Sequence, residues 1–219
     1  MDTIIAFAIL FTIQSAFILI SPRDDEPYYL RGLVIVNMIL IGMFAARLFE
    51  IGGLVSNVGN IMFASVVAMQ AILITNHGHA AGLKTIAIGA RSLMLFSLTG
   101  FALAKFPLVD GNHEAAIAVD QIANTSLSVI TASFLAFKCG QYAFLRLLDR
   151  WKEYPLWGKY TAAMIILQII DSLIFFPIAF GLNSELLEIA LVGFITKVVI
   201  GIIYLPIIYI SKLQHGNNK

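Results

Sequence analysis

The sequence predicts an all-α fold, a polytopic bundle of about seven membrane-spanning helices, from three observations. Charged residues make up only 12% of the 219 and hydrophobic residues 59%, with a mean hydropathy of +0.89; soluble domains carry about one quarter charged residues. Apolar runs of about 20 residues, the length that crosses a ~30 Å hydrocarbon core, recur along the chain. The connections between them are too short for a soluble domain. Residues 1–219 are therefore expected to form one membrane domain, with 1–21 an additional N-terminal helix and 31–211 a six-helix core.

The first run, 3–21, has the apolar character of a secretory signal. It is preceded by Asp2 instead of a basic residue and followed by no small-x-small cleavage site, so it reads as an uncleaved helix. The second, 31–50, ends with Arg47 and Glu50 three residues apart, close enough to satisfy each other at the interface. Segments 57–75 and 85–105 are joined by NHGHAAG, which holds His77 and His79. Two histidines without a nearby Cys or acid at ligand spacing do not make a structural zinc site. Arg91, a turn or two inside the fourth segment, is expected to snorkel toward the headgroups.

The fifth segment, 117–145, repeats small or short polar residues every four positions: Asn124, Ser128, Ala132, Ala136 and Gly140. Such a seam lets two helix backbones approach closely in lipid; a substrate passage along it is the other reading. The sixth and seventh segments run 159–181 and 188–211, and a polar tail, Lys212–Lys219, follows.

Basic residues set the orientation, because cytoplasmic loops are enriched in Lys and Arg. Arg146, Arg150, Lys152 and Lys159 place the fifth connection inside, and alternation then puts Arg23, Arg31, Lys84, Lys212 and Lys219 inside as well. The loop before Glu185 has no Lys or Arg and falls outside. Seven crossings give an N-terminus out and a C-terminus in. Arg47 and Lys105 are mild exceptions, while Asp120 and Glu188 sit near the outer interface.

A charge at the bilayer centre costs about 2.5–3.5 kcal/mol on insertion scales, so each one requires a reason. Asp171 lies roughly 16 Å into the sixth segment from its inner end, and Lys197 about as far from the inner side on the seventh, at 1.5 Å per residue. The two can pair across antiparallel helices, either as a structural tie or as a site for a substrate or coupling ion. Gln168 shares a helix face with Asp171, and Gln141 joins them if the fifth and sixth helices pack. Glutamines there can bond between helices, or offer donors and acceptors to a planar polar ligand.

Other chemistries are not encoded. A net charge of +1 with no basic patch argues against nucleic acid. The single cysteine, Cys139, excludes an intramolecular disulfide and reads as a small buried hydrophobe. GHAAGLKT has the wrong spacing for a phosphate-binding loop, and no serine nucleophile motif is present, so nothing points to an enzyme or a cofactor.

The chain resembles the vitamin uptake transporter family of bacteria and archaea. The likeness is carried by ASFLAFKCGQ at Ala132–Gln141, LQIIDSLIFFPIAFG at Leu167–Gly181 and EIALVGFITKVV at Glu188–Val199. E-x-x-GL at Glu50–Leu54 and GNI at Gly59–Ile61 add to it more weakly. The resemblance implies a plasma-membrane importer of queuosine precursors, which are 7-deazaguanine bases, and it makes Gln141, Gln168, Asp171, Glu188 and Lys197 retained polar positions. Departures stand at Ala71, Thr75 and Phe144, where relatives carry acids, at Ser128, where they carry arginine, and at Tyr160 and Thr161, where they carry paired asparagines. Gln70 lies beside the first of these.

The function expected is therefore a secondary transporter in the lipid bilayer, importing a small planar nitrogenous nutrient by alternating access. Gln141, Gln168, Asp171, Lys197 and Glu50 are its candidate substrate-binding residues, with protons a possible coupling ion. The alternatives are a substrate-binding subunit energised by separate ATPase partners, and a non-transporting membrane receptor.

Overall fold

The computed structural model describes residues 2–22, 26–44, 48–51, 54–103, 127–181 and 185–216. Arg23, Arg47, Gly52, Gly53, Lys105, Asp120, Asn124, Lys219 and the side chain of Glu188 lie outside the described residues. The described part holds the helices α1 (Asp2–Leu19), α2 (Glu26–Phe44), α3 (Gly59–His77), α4 (His79–Leu103), α5 (Leu127–Arg150), α6 (Leu156–Phe180), α7 (Glu185–Ile203) and α8 (Leu205–Gly216). An antiparallel pair, β1 (Leu48–Ile51) and β2 (Leu54–Asn57), joins α2 to α3 with Leu48 opposite Asn57 and Ile51 opposite Leu54.

Among the described residues, five stretches are long and apolar enough to cross a membrane: 27–44, 59–77, 79–103, 156–179 and 190–214. The apolar helix at Thr3–Leu19 is shorter, and α5 carries Lys138, Arg146, Asp149 and Arg150 on an exposed face it shares with Ser128, Thr131 and Tyr142. Large apolar side chains such as Ile4, Leu173 and Leu191 are exposed on the outside of the bundle, where only lipid would relieve their contact with water.

α3 is the axis of the assembly. Every residue from Gly59 to Ile74 is buried, and α1, α2, α4, α5, α7 and α8 all pack on it. A helix apolar on all sides has no surface to offer solvent and belongs at the centre. Polar ties fix its neighbours: Ser65 Oγ donates to Met62 O at 2.7 Å and has Gln14 Oε1 of α1 and Asn37 Oδ1 of α2 at 3.3 and 3.2 Å.

Several boundaries differ from the sequence expectation, each for a local reason. The second helix stops at Phe44, and Glu50 lies on β1 instead of a helix end; LFEI and LVSN flanking a Gly-Gly pair is a hairpin pattern that apolarity alone conceals. NHGHAAG is not a loop. Gly78 alone separates α3 from α4, with φ +81° and its N–H donating to Ile74 O at 3.1 Å, a left-handed turn that glycine adopts without a Cβ penalty. Lys84 is therefore a helical residue, and Arg91 lies about 18 Å along α4 instead of a turn or two inside it. Arg31 Nε donates to Thr85 Oγ1 at 3.2 Å, so Arg91 is only about 9 Å beyond the level of another arginine.

The basic connection is likewise shorter than expected: Arg146 and Arg150 close α5, Lys159 opens α6, and only Trp151–Pro155 lies between. Tyr28, Tyr154 and Trp157 are exposed near the same end, as aromatic rings are at a membrane–water boundary. The seventh segment breaks at Tyr204 into α7 and α8. Pro206, two residues on, has no N–H to continue an unbroken ladder, and it occupies the first turn of α8, where none is needed. Below, the end of the bundle at β1 and β2 is called the hairpin end, and the opposite one the basic end.

Candidate functional site

Small residues decide where α5 and α6 meet. Ala132, Ala136 and Gly140 are buried, and a Cβ on Gly140 would lie 3.4 Å from Leu167 O and 4.0 Å from Asp171 Cβ. The expected seam is thus filled by α6, which it draws against α5 so that Asp171 points into the bundle.

There Lys197 Nζ of α7 donates to Asp171 Oδ2 at 2.6 Å, and the same ammonium stands 4.9 Å from the centre of the Phe63 ring on α3. The pair foreseen from depth is formed, although α6 begins at Leu156 and Asp171 lies nearer 22 Å along it. The side chains of Lys197 and Asp171 retain 18% and 11% of their exposure, because they form the floor of a cavity. In low dielectric such a pair attracts strongly but also costs desolvation, so it is weak evidence for stability alone.

The cavity measures about 850 Å³ and occupies the hairpin half of the bundle, between α2, α3, α4, α5, α6 and α7. Its wall is mainly apolar and includes six phenylalanines, Phe63, Phe96, Phe137, Phe175, Phe176 and Phe194. Asn60, Ser92, Ser133 and Ser172 add scattered hydrogen-bonding groups beside the ion pair. Apolar walls with a few placed polar groups, in a volume of about 300–1,000 Å³, are the build of a small-molecule site. A flat heterocycle can stack on such rings while its edge meets a carboxylate acceptor and an ammonium donor.

The structure brings Asp171 and Lys197 together and separates the other candidates from them. Gln141 and Gln168 are fully buried and do not line the cavity. Among the described residues, Gln168 Nε2 reaches Met164 Sδ, at 3.7 Å, and Gln168 Oε1 and both polar atoms of Gln141 meet no partner. Glu50 is exposed on β1, apart from the lining. Cys139 is exposed on α5 instead of buried, and His77 and His79 flank Gly78 at the junction of α3 and α4. The phenylalanines were not foreseen. In a chain with 16 of them, nothing in the sequence separates one facing a cavity from one facing lipid.

A profile of the family described as "putative vitamin uptake transporter" matches residues 57–211. That range takes in every helix lining the cavity except α2. No curated protein and no solved structure matches the chain.

Proposed function

The chain belongs to the vitamin uptake transporter family, and on that premise we propose that it imports a small planar nitrogenous nutrient across the plasma membrane by alternating access. A queuosine precursor, a 7-deazaguanine base, is the favoured substrate. The observation that carries this reading is the Asp171–Lys197 pair at the floor of the phenylalanine-lined cavity.

The concentration of Arg and Lys around Trp151–Pro155 assigns the basic end to the cytoplasm, so the cavity belongs to the outward half and loads from outside. The ligand's faces stack on phenylalanine rings, a contact worth about 1–3 kcal/mol per base in sites that bind nucleobases. Its edge inserts at the ion pair. Asp171 accepts from ring N–H or exocyclic amine groups, and Lys197 donates to a carbonyl. The pair is a good latch because each member is left unpaired by a ligand that lacks the matching group, which is how buried polar sites discriminate.

A proton arriving on Asp171 would release Lys197, which offers a route to ion coupling. Uptake into proteoliposomes that is indifferent to an imposed pH gradient would exclude that route. Uptake by the purified protein alone would show that no ATPase partner is required.

The reading is tested by thermal unfolding of the detergent-solubilised protein with 7-deazaguanine, purines and vitamins. A true ligand at about 100 times its dissociation constant stabilises by roughly 2.7 kcal/mol, and Asp171→Asn abolishes the shift. An unchanged shift in the variant would sink the site assignment.

A further inference from the structure

Four residues of the cavity lining come from four different helices: Phe63 of α3, Phe137 of α5, Asp171 of α6 and Lys197 of α7. On each helix, the same face carries a polar side chain one or two turns further toward the basic end. Gln70 follows Phe63 by seven residues, Gln141 follows Phe137 by four, Gln168 precedes Asp171 by three and Tyr204 follows Lys197 by seven. These spacings return to one side of a helix. Tyr160, eleven before Asp171, extends the set by a further turn.

All five side chains have no exposure. Among the described residues, Gln70 Nε2 and Oε1, Gln141 Nε2 and Oε1, Gln168 Oε1 and the hydroxyl of Tyr160 meet no hydrogen-bond partner, while the Tyr204 hydroxyl has Ser65 beside it. Buried polar groups are almost always paired, and leaving one unpaired costs its full desolvation. Apolar residues of similar size would serve a merely structural bundle better at these positions. The groups between them are compressible: Met164 is fully buried, its flexible thioether sits directly against Gly201, and neither neighbour forms a rigid seal.

We propose that Gln70, Gln141, Gln168, Tyr160 and Tyr204 line the inner half of the transport path. In this half a ligand released from Asp171 and Lys197 is passed toward the basic end by neutral donors and acceptors. Neutral groups suit that task, since amides and hydroxyls can bond either edge of a planar heterocycle without holding it as tightly as an ion pair does. The inference rests on the transport reading above, but its test needs no knowledge of the ligand.

Cys139→Ala removes the one native thiol. On that background single cysteines replace Gln70, Gln141 and Gln168, and Ala68, buried on the opposite face of α3, serves as the control. A water-soluble methanethiosulfonate reagent is applied to the basic side of proteoliposomes. Labelling at Gln70→Cys, Gln141→Cys and Gln168→Cys at least tenfold faster than at Ala68→Cys is expected, because only a path that opens to water exposes them. Rates equal to the control would overturn the proposal.

The apolar near-isosteres Gln70→Met and Gln141→Met guard against a folding artefact. Their thermal midpoints are expected to equal or exceed that of the parent protein. A lower midpoint with unchanged labelling at Gln168→Cys would show those two groups to be structural and remove them from the path. Fast labelling in a protein that binds no 7-deazaguanine, purine or vitamin would instead leave the path intact and refute the substrate.

Discussion

Asp171 and Gln168 stand one turn apart on α6, yet one reaches a cavity of about 850 Å³ and the other is sealed among packed side chains. The same contrast separates the cavity floor from the side chains beneath it. At the cavity floor the polar groups are charged and mutually paired, Asp171 with Lys197, under a wall of phenylalanine rings. Beneath it, Gln70, Gln141 and Gln168 are neutral, fully buried and short of partners among the described residues. A site that must hold a ligand is built from the first kind of group, and a route that must not hold it from the second. A stability argument would favour neither, since a buried pair roughly offsets its own desolvation and an orphaned amide costs about 1–3 kcal/mol.

The sharpest way to break this contrast is to remove one charge from the hairpin half. Asp171→Asn leaves Lys197 without its partner. Uptake is expected to fall at least about 100-fold, and stability by on the order of 2 kcal/mol, below the range for a fully buried pair because part of each side chain is exposed. Uptake assays and thermal unfolding check the two parts separately. Filling the cavity comes next. A Cβ on Gly193 meets nothing within 4 Å, so Gly193→Leu should project into the cavity. It is expected to weaken ligand binding about tenfold in calorimetry with little change in thermal midpoint.

A smaller effect belongs to the basic half. A Cβ on Gly201 would meet the thioether end of Met164, a flexible group that can move aside at the low end of the usual overpacking cost, about 1 kcal/mol. Gly201→Ala should lower the thermal midpoint while leaving ligand affinity in detergent within about twofold. The smallest expected effect is at Glu50, which is exposed on the hairpin. Glu50→Gln should change uptake by less than about twofold, and a larger loss would extend the site onto β1.

The ion pair was legible in advance because charge is rare in lipid and helical rise converts sequence position into depth. The polytopic all-α class was legible from the length and apolarity of the runs. The ends were not. Asn76-His77-Gly78-His79 looks like a loop, yet a single left-handed glycine makes the turn and both flanking histidines stay helical. LFEI and LVSN look like a continuing membrane span because apolar content is shared by strands and spans alike. The break near Tyr204 is marked in the sequence by Pro206, which an unbroken apolar run from 188 to 211 conceals. Gln141 and Gln168 were identifiable as unusual. Their placement beneath the site, and not within it, depends on which turn of α5 and α6 each occupies relative to the cavity floor, and that is a matter of packing between helices.

The burial of α3 on every side has a consequence for how the protein tolerates change. A lipid-facing helix accepts almost any apolar residue on its outer stripe, so harmful and harmless substitutions alternate with the helical period. Along the 16 buried residues from Gly59 to Ile74 there is no outer stripe. A saturation scan should therefore find that stretch uniformly intolerant of larger side chains, with no periodicity at all, while α2 and α6 show a clear one. Variation would accumulate around this helix and leave it nearly still.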